Sequence, residues 1–157
     1  MKTTWKIASV VVMGGLVMLG VSRRASAWGV GLSLHNVGDD TLCVDAKGDG
    51  KGAGTEVQIH KCNSSEAQRW ALTRTTDNWS ELVGPGGLCV SDKDSAKSAY
   101  LYGCTFKDAQ LWKLEDGHLT HKSTGKCLTA ANLADNQPVT IATCDKSPSQ
   151  TWKFKQE

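Results

Sequence analysis

Apolar and polar residues alternate in three short segments of this chain, and each segment ends at a cysteine. Counting back from that cysteine, the third and fifth residues are always apolar. The segments are Val57 to Cys62, Ala99 to Cys104 and Val139 to Cys144. In a β-strand, alternate residues point to opposite faces, so these apolar positions are expected to face a core. No segment keeps an apolar period of 3.6 residues, and the pattern therefore predicts an all-β domain.

Further apolar residues flank three earlier cysteines. They are Leu42 and Val44 around Cys43, Leu88 and Val90 around Cys89, and Leu128 after Cys127. We expect these apolar residues to point inward as well. The residue two places after each of these cysteines is then expected on the outward face.

A glycine-rich stretch, Lys47 to Gly54, separates the two predicted strands of the first cysteine pair. Its composition predicts a hairpin or loop. It lacks the Gly-Lys-Ser/Thr ending and the strand-to-helix setting of a phosphate-binding loop. We expect it to form the rim of whatever cluster the two strands carry.

The motif Cys-x5-Gln-x-Trp occurs three times. Its tryptophans, Trp70, Trp112 and Trp152, follow one another at intervals of 42 and 40 residues. Each copy also contains one earlier cysteine, so all six cysteines belong to the scheme. Such self-similarity predicts three copies of one supersecondary unit, at about residues 31–74, 75–116 and 117–157.

Residues 1–27 lie outside the repeat and have the organisation of a secretory signal peptide. Lys2 and Lys6 precede an apolar run from Ile7 to Val21, and Ala25-Ser26-Ala27 fits a cleavage site. The alternative is a membrane anchor, but this run of about 15 residues is shorter than the roughly 20 that span a bilayer. The sequence thus predicts one domain at residues 28–157, secreted, or periplasmic in a Gram-negative bacterium.

The net charge changes when the leader is removed. The chain has 18 basic and 16 acidic residues, a formal charge of +2. The leader holds four of the basic residues and no acidic one, which leaves 14 against 16, or −2. A nearly neutral domain without a basic cluster predicts no nucleic-acid partner and no stable membrane insertion.

Six cysteines in an exported chain indicate disulfide bonds. About 15 pairings are possible for six cysteines, and the repeat selects the one that closes a similar loop in each copy: Cys43–Cys62, Cys89–Cys104 and Cys127–Cys144. No short Cys-x2-4-Cys spacing of a zinc site is present, and the close pair His118 and His121 has no further ligand nearby in sequence. We expect neither a metal nor another cofactor.

Paired cysteines bring the two strands of each repeat side by side, so their outward residues form one cluster. The clusters are Asp45, Gln58 and His60 in the first repeat, Ser91, Tyr100 and Tyr102 in the second, and Thr129, Thr140 and Ala142 in the third. Only the first combines a carboxylate, an amide and a flat ring.

From about residue 30 to residue 157, these motifs resemble the ricin-type lectin family, whose domains are β-trefoils of three Gln-x-Trp repeats. The resemblance implies a six-stranded barrel capped by three hairpins around a pseudo-threefold axis. It also implies that Trp70, Trp112 and Trp152 lie in the shared core.

The resemblance further implies where a sugar site lies. The family pattern places an Asp two residues after the first cysteine, an aromatic ring two before the second, and a polar residue before the Gln of Gln-x-Trp. Those positions are Asp45, His60 and Ala67-Gln68 here, and Gln58 or Gln68 is expected to replace the amide that Ala67 lacks. A second candidate site has Ser91, Tyr100, Tyr102 and Gln110, without a carboxylate.

The expected function is a secreted, non-catalytic lectin that binds glycans, galactose-type sugars among them, mainly through the first repeat. The alternative is a trefoil scaffold that acts through protein contacts, as an inhibitor or as the targeting subunit of a toxin or enzyme. Catalysis is not expected, because no nucleophile motif accompanies Asp45 and His60. Asn63 and Asn78 each begin an N-glycosylation sequon.

Overall fold

The computed structural model describes residues 31–92 and 98–156, and they fold almost entirely as β-strands. Five short 3-10 turns separate some of the strands, at Lys47–Asp49, Glu66–Gln68, Pro85–Gly87, Asp108–Gln110 and Pro148–Gln150. The strands are β1 (Ser33–Asn36), β2 (Leu42–Ala46), β3 (Val57–Lys61), β4 (Ala71–Thr76), β5 (Trp79–Val83), β6 (Cys89–Asp92), β7 (Ala99–Tyr102), β8 (Leu111–Glu115), β9 (His118–His121), β10 (Cys127–Thr129), β11 (Gln137–Pro138), β12 (Thr140–Ala142) and β13 (Trp152–Lys155).

Six of these strands form a barrel. Antiparallel ladders join β1 to β13, β4 to β5, β5 to β8 and β8 to β9. A bridge between Leu32 and Trp70 connects the start of β1 to β4. The N–H of Trp152 donates to the carbonyl of Gly117 at 2.8 Å and ties β13 to the β8–β9 hairpin. The ring of strands is thereby closed.

Two tight turns build the hairpins of this barrel. Asp77 and Asn78 link β4 to β5, and Asp116 and Gly117 link β8 to β9. All four residues have φ between 51° and 81°, as both central residues of a type I′ turn require. Asn, Asp and Gly adopt this region at the least cost, so the local sequence suits the turn.

Three further hairpins, β2–β3, β6–β7 and β10–β12, cap one end of the barrel. Each is joined to the next by isolated bridges or a short ladder: Glu56 with Tyr100, Ser98 with Thr140, and β11 with β3. The cap and the barrel together repeat three times around one axis. The predicted all-β trefoil of three repeats is confirmed.

The core lies between barrel and cap. Its largest residues are Trp70, Trp112 and Trp152, which are 0–2% exposed. The positions expected to face inward are fully buried at Val57, Ile59, Leu101, Val139, Val44, Val90 and Leu128, whereas Leu88 and Ile141 are only partly buried.

The three intra-repeat disulfides are present as predicted, Cys43–Cys62, Cys89–Cys104 and Cys127–Cys144. They close separations of 19, 15 and 17 residues. Each bond lies between the two strands of a cap hairpin, so it fixes the pairing that carries the candidate site residues.

The predicted leader, residues 1–27, lies outside the described residues. Within the part of the chain that the structure describes, no helix has the length and apolar character needed to cross a membrane.

Candidate functional site

The centre of the first-repeat cluster is the carboxylate of Asp45, which is 4% exposed. In the β2–β3 ladder, Asp45 lies opposite Gln58, and Cys43 lies opposite His60. The Nε2 of Gln58 donates to Asp45 Oδ1 at 2.9 Å, and the Nε2 of Gln68 donates to Oδ2 at 3.2 Å. Both carboxylate oxygens are therefore held by side-chain amides.

Gln68, from the Gln-x-Trp motif, also holds the chain around Cys62. It is completely buried. Its Oε1 accepts from the N–H of Asn63 at 2.8 Å, and its Nε2 donates to the carbonyl of Lys61 at 3.0 Å. Gln68 thus positions Asp45 and the turn after β3 at the same time.

The other two repeats use the same clamp. Gln110 accepts from the N–H of Thr105 and donates to the carbonyl of Gly103. Gln150 accepts from the N–H of Asp145 and donates to the carbonyl of Thr143. The Nε1 of each motif tryptophan in turn donates to the carbonyl after the first cysteine of its repeat, at Val44, Val90 and Leu128.

The face that the alternation pattern assigns to the outside is largely covered. Asp45, Gln58, Ser91 and Thr129 are 4–7% exposed. The reason is the 3-10 turn in front of each motif tryptophan, such as Glu66–Gln68, which packs over the strands and is hydrogen-bonded to them. Asp45 and Gln58 thus lie on the predicted face, opposite the core, but that face is covered, and the site is a buried carboxylate at the bottom of a depression.

Burial has a clear electrostatic effect on Asp45. Loss of solvent raises the pKa of its carboxyl above the ordinary value of 3.8, and the hydrogen bonds from Gln58 and Gln68 partly offset that rise. The two amides therefore stabilise the ionised form that a sugar hydroxyl would meet.

An open depression of about 250 Å³ lies above this carboxylate. Its lining consists of Asp45, Gly48, Asp49, Gln58, His60, Asn63 and Asn136. Gly48 and Asp49 come from the glycine-rich stretch, which was expected to form the rim. No lysine or arginine lines the depression among the described residues.

His60 forms one wall, with its side chain 31% exposed. Its Nδ1 lies 2.6 Å from Oδ1 of Asp135, although the contact lacks the geometry of a regular hydrogen bond. The same Oδ1 accepts from the N–H of Lys61 at 3.0 Å. That hydrogen bond, together with the attraction of His60, lowers the pKa of Asp135.

Sequence reasoning missed several of these residues. In the sequence, Asn63 stands out only as the start of a sequon, and no pattern marks Asp135 or Asn136. Asn63 follows the second cysteine directly, and this position in the Cys-x5-Gln-x-Trp motif is the sequence signal that links it to Gln68. Nothing in the first repeat points to Asp135 and Asn136, because they come from the third repeat.

The second candidate cluster differs from the first. Ser91 lies opposite Tyr100, and Cys89 lies opposite Tyr102. The hydroxyl of Ser91 donates to backbone carbonyls of Asp92 and Ala109, at 3.1 and 3.3 Å. Both tyrosines are partly exposed, and Gln110 is 4% exposed within its clamp. The structure brings these residues together without a carboxylate at the position of Asp45.

The third cluster is hydrogen-bonded internally. Thr129 donates to the carbonyl of Cys127 at 2.8 Å and accepts from Nε2 of Gln150 at 3.1 Å. Ala142 supplies neither a ring nor a polar group.

Two groups of histidine, cysteine and acidic residues lie close enough to hold a metal ion among the described residues. They are His35 with Cys43 and Cys62, and Glu81 with Cys89 and Cys104. In both, the two sulfur atoms are already bonded to each other. His121 is fully buried against Trp112, with 4.7 Å between ring centroids.

Among known families, the ricin-type beta-trefoil lectin domain matches this chain over residues 31–152. Among curated proteins, the chain is 30% identical over 128 residues to polypeptide N-acetylgalactosaminyltransferase 15 of Mus musculus, covering 78% of this chain and 19% of that protein. It is 27% identical over 122 residues to volkensin of Adenia volkensii. That match covers 74% of this chain and 22% of volkensin. The chain therefore spans about a fifth of the length of these relatives.

Solved structures share the fold. The designed threefold-symmetric protein ThreeFoil superposes with a TM-score of 0.73 at 20% identity, covering 80% of this chain and 98% of that one. A mosquitocidal holotoxin superposes with a TM-score of 0.72 at 18% identity. The superposition covers 80% of this chain and 17% of the holotoxin chain. The C-terminal half of an earthworm R-type lectin, solved in complex with GalNAc, superposes with a TM-score of 0.66 at 10% identity. The superposition covers 82% of this chain and 100% of that one.

Proposed function

Because this chain belongs to the ricin-type beta-trefoil lectin family and forms a carbohydrate-binding domain, we propose that it is a non-catalytic lectin that holds its sugar in the first repeat. The observation that carries this proposal is the buried carboxylate of Asp45, fixed by Gln58 and Gln68 at the bottom of an open polar depression.

The chemistry of the depression suits a pyranose. An ionised carboxylate accepts hydrogen bonds from sugar hydroxyls, and the amides that hold it are already in place, so little reorganisation is needed on binding. His60 offers a flat ring to the apolar face of the sugar, and the side chain of Asn63 lies at the edge of the same depression. These groups together can bind both the hydroxyls and the apolar face of a pyranose.

The other two repeats are not proposed as main sites. Ser91 replaces the carboxylate in the second repeat, and its hydroxyl already donates to backbone carbonyls. In the third repeat, Thr129 is bonded to Gln150. Tyr100 and Tyr102 keep the second cluster as a weaker candidate, since two partly exposed rings remain there.

We propose an uncharged sugar of the galactose type as the ligand. The lining contains Asp45 and Asp49 but no lysine or arginine among the described residues, so a sialylated or uronic-acid glycan would find little opposing charge. The names of two similar proteins, an N-acetylgalactosaminyltransferase and a lectin solved with GalNAc, support the galactose class.

A single shallow site binds weakly, and we therefore propose that useful binding depends on multivalency. Several copies on a dense glycan surface would supply it, as would a partner subunit of a toxin or enzyme. The similarity to a mosquitocidal holotoxin supports the second arrangement.

We also propose that residues 1–27 direct export, and that the protein works outside the cytoplasm. The three disulfides, with no free cysteine among the described residues, are typical of an oxidising compartment.

The proposed function is tested by binding of disulfide-intact residues 28–157 to a broad glycan array in multivalent form. We expect binding to uncharged galactose-type glycans, loss of binding in Asp45→Asn, and retention in Thr129→Ala. Thr129 occupies the equivalent position of the third repeat, so its variant is the matched control.

Binding that survives Asp45→Asn would move the site to the second repeat. Absence of binding by the unaltered protein would contradict the lectin function and favour the scaffold or inhibitor alternative.

A further inference from the structure

A loop of the third repeat reaches the first-repeat depression. The short strand β11 pairs with β3, with Gln137 opposite Ile59 and Pro138 opposite Gln58. This pairing places the two preceding residues, Asp135 and Asn136, beside His60. The site is therefore built from two repeats that are far apart in sequence.

Asp135 has two contacts that fix it against β3. Its Oδ1 accepts from the N–H of Lys61 at 3.0 Å and lies 2.6 Å from Nδ1 of His60. The lowered pKa of Asp135 means that its carboxyl is ionised at neutral pH. An anchored negative charge thus faces one edge of the imidazole.

Among the described residues, Asp135 provides the ion-pair contact to that edge of His60. Its Nδ1 is buried and makes no regular hydrogen bond in the described part of the chain. Electrostatic attraction to Asp135 consequently determines which edge of the ring turns away from the depression. This matters because a ring stacks on a sugar only when its plane is held in the correct orientation.

Asn136 lines the depression directly and is exposed. Its φ of +61° lies in the left-handed region, which Asn and Gly tolerate better than other residues. Asn136 thus reaches a depression of the first repeat with a backbone conformation that suits its residue type.

We propose that Asp135 and Asn136 of the third repeat belong to the first-repeat sugar site, Asp135 as the positioning residue of the His60 ring and Asn136 as a contact to the ligand. This inference rests on the proposed lectin function. It makes the site a composite, with amide side chains at Asn63 and Asn136 supplied by different repeats.

The first test compares Asp135→Ala with Asp135→Asn. Asp135→Ala removes both contacts, and we expect affinity for multivalent galactose and GalNAc conjugates to fall roughly three- to tenfold, the range for one lost hydrogen-bonded contact. Asp135→Asn keeps an oxygen acceptor for the N–H of Lys61 but loses the negative charge beside His60, so it should recover only the part of the loss that comes from the Lys61 contact.

The ring itself supplies a second readout. We expect the 1H and 15N NMR signals of the His60 imidazole to shift in Asp135→Ala, because the ring loses its anchored neighbour. The matched control is Asp145→Ala, which removes a third-repeat carboxylate that accepts from the N–H of Ser147 at 2.8 Å. It should change neither the His60 signals nor the affinity.

Asn136 is tested by Asn136→Gly, which removes the side chain and keeps the positive φ accessible. We expect a three- to tenfold loss of affinity by the same reasoning. Lys146→Gly is the control, since Lys146 is exposed and has φ of +58° in the same repeat.

The inference is overturned if Asp135→Ala leaves the His60 signals and the affinity unchanged, or lowers affinity no more than Asp145→Ala does. A wild-type protein that binds neither conjugate contradicts the proposed function instead. In that case the His60 signals alone still decide whether Asp135 fixes the ring.

Discussion

The buried carboxylate of Asp45, which we propose as the centre of the sugar site, lowers the stability of the fold. Burial raises the pKa of its carboxyl, so keeping it ionised at neutral pH costs free energy. Gln58 and Gln68 offset part of that cost through two hydrogen bonds. A functional group that destabilises its own fold is typical of a binding site.

For this reason we expect Asp45→Asn to abolish sugar binding without reducing the free energy of unfolding at pH 7, or with a gain of up to about 1 kcal/mol. Gln68 is fixed by Asn63 and Lys61, but the Gln58 amide can rotate to accept from the new Nδ2. Since the pKa of Asp45 is raised in the folded state, the wild-type protein gains stability as pH falls through that pKa. The difference in free energy of unfolding between the wild type and Asp45→Asn should therefore shrink at low pH.

Urea denaturation of both proteins at pH 7 and pH 4 measures this difference. Asp45→Ala is the comparison, because it leaves two buried amide donors without their acceptor and should cost about 1–3 kcal/mol. If Asp45→Asn lost as much free energy of unfolding at pH 7 as Asp45→Ala, the buried charge of Asp45 would not be the source of the cost.

The alternation of residues predicted this site only in part. Val57 and Ile59 face the core as expected, since period two fixes the faces of a single strand. The same rule says nothing about what covers the opposite face, and so the burial of Asp45 and Gln58 was not anticipated. That burial depends on a turn whose position follows from tertiary contacts.

At the level of elements, the 3-10 turn and the following tryptophan act as one unit in every repeat. The Gln side chain holds the loop around the second cysteine, and the Trp Nε1 holds the strand after the first. The Gln-x-Trp motif is therefore a device for folding, and it could be recognised from sequence because its spacing is strictly local.

Gln150→Leu tests the clamp where no sugar site is proposed. Gln150 is 1% exposed and bonds to the N–H of Asp145, the carbonyl of Thr143 and the hydroxyl of Thr129. Leucine fills a similar space but removes all three hydrogen bonds, one of them to the buried Thr129, so we expect a loss of about 2–4 kcal/mol. Glycan binding should persist in the folded fraction.

The matched comparison is Gln68→Leu, which should cost a similar amount and also abolish binding, since it removes the donor to Asp45. Denaturation curves of both variants measure the loss of stability, and glycan binding by both variants measures the effect on the proposed site. If Gln150→Leu lowered glycan binding as much as Gln68→Leu does, the proposed site would not depend specifically on the glutamine of the first repeat.

The pairing between strands of different repeats could not be predicted from the sequence. The N–H of Lys61 and the side chain of Asp135 are separated by 74 residues in the chain. Their contact follows from the pairing of β11 with β3, a two-residue ladder with no pattern of its own. Composite sites of this kind become visible only in the assembled fold.

For the whole molecule, closure of the barrel depends on the contact between β1 and β13. Asp40, just after β1, binds both Lys153, at 2.9 Å, and Lys155 of β13. These two hydrogen bonds lower the pKa of the Asp40 carboxyl to about 2. An exposed network of this kind is sensitive to salt.

We expect Asp40→Asn to lower the melting temperature modestly at pH 7. A depressed pKa stabilises the fold above the ordinary value of 3.8, and that contribution disappears as pH falls through about 2. The difference between variant and wild type should therefore shrink as pH falls from about 4 towards 2, disappear only below about 2, and also shrink in high salt. Thermal melts across pH and salt measure it.

Asp39→Asn is the control, because Asp39 caps Thr41 and the amide oxygen of Asn can do the same. A deficit in the melting temperature of Asp40→Asn that is as large at pH 2 as at pH 7 would show that the effect is not electrostatic.

The antiparallel pairing of β1 with β13 places Ser33 opposite Lys155. The path of the backbone therefore enters and leaves the domain at one edge. A module with adjacent points of attachment can be spliced into an exposed loop of another polypeptide, or have its ends joined and its chain reopened elsewhere, without disturbing the barrel. In a fused architecture, both tethers would emerge beside each other, and the depression above Asp45 would keep a fixed direction relative to them.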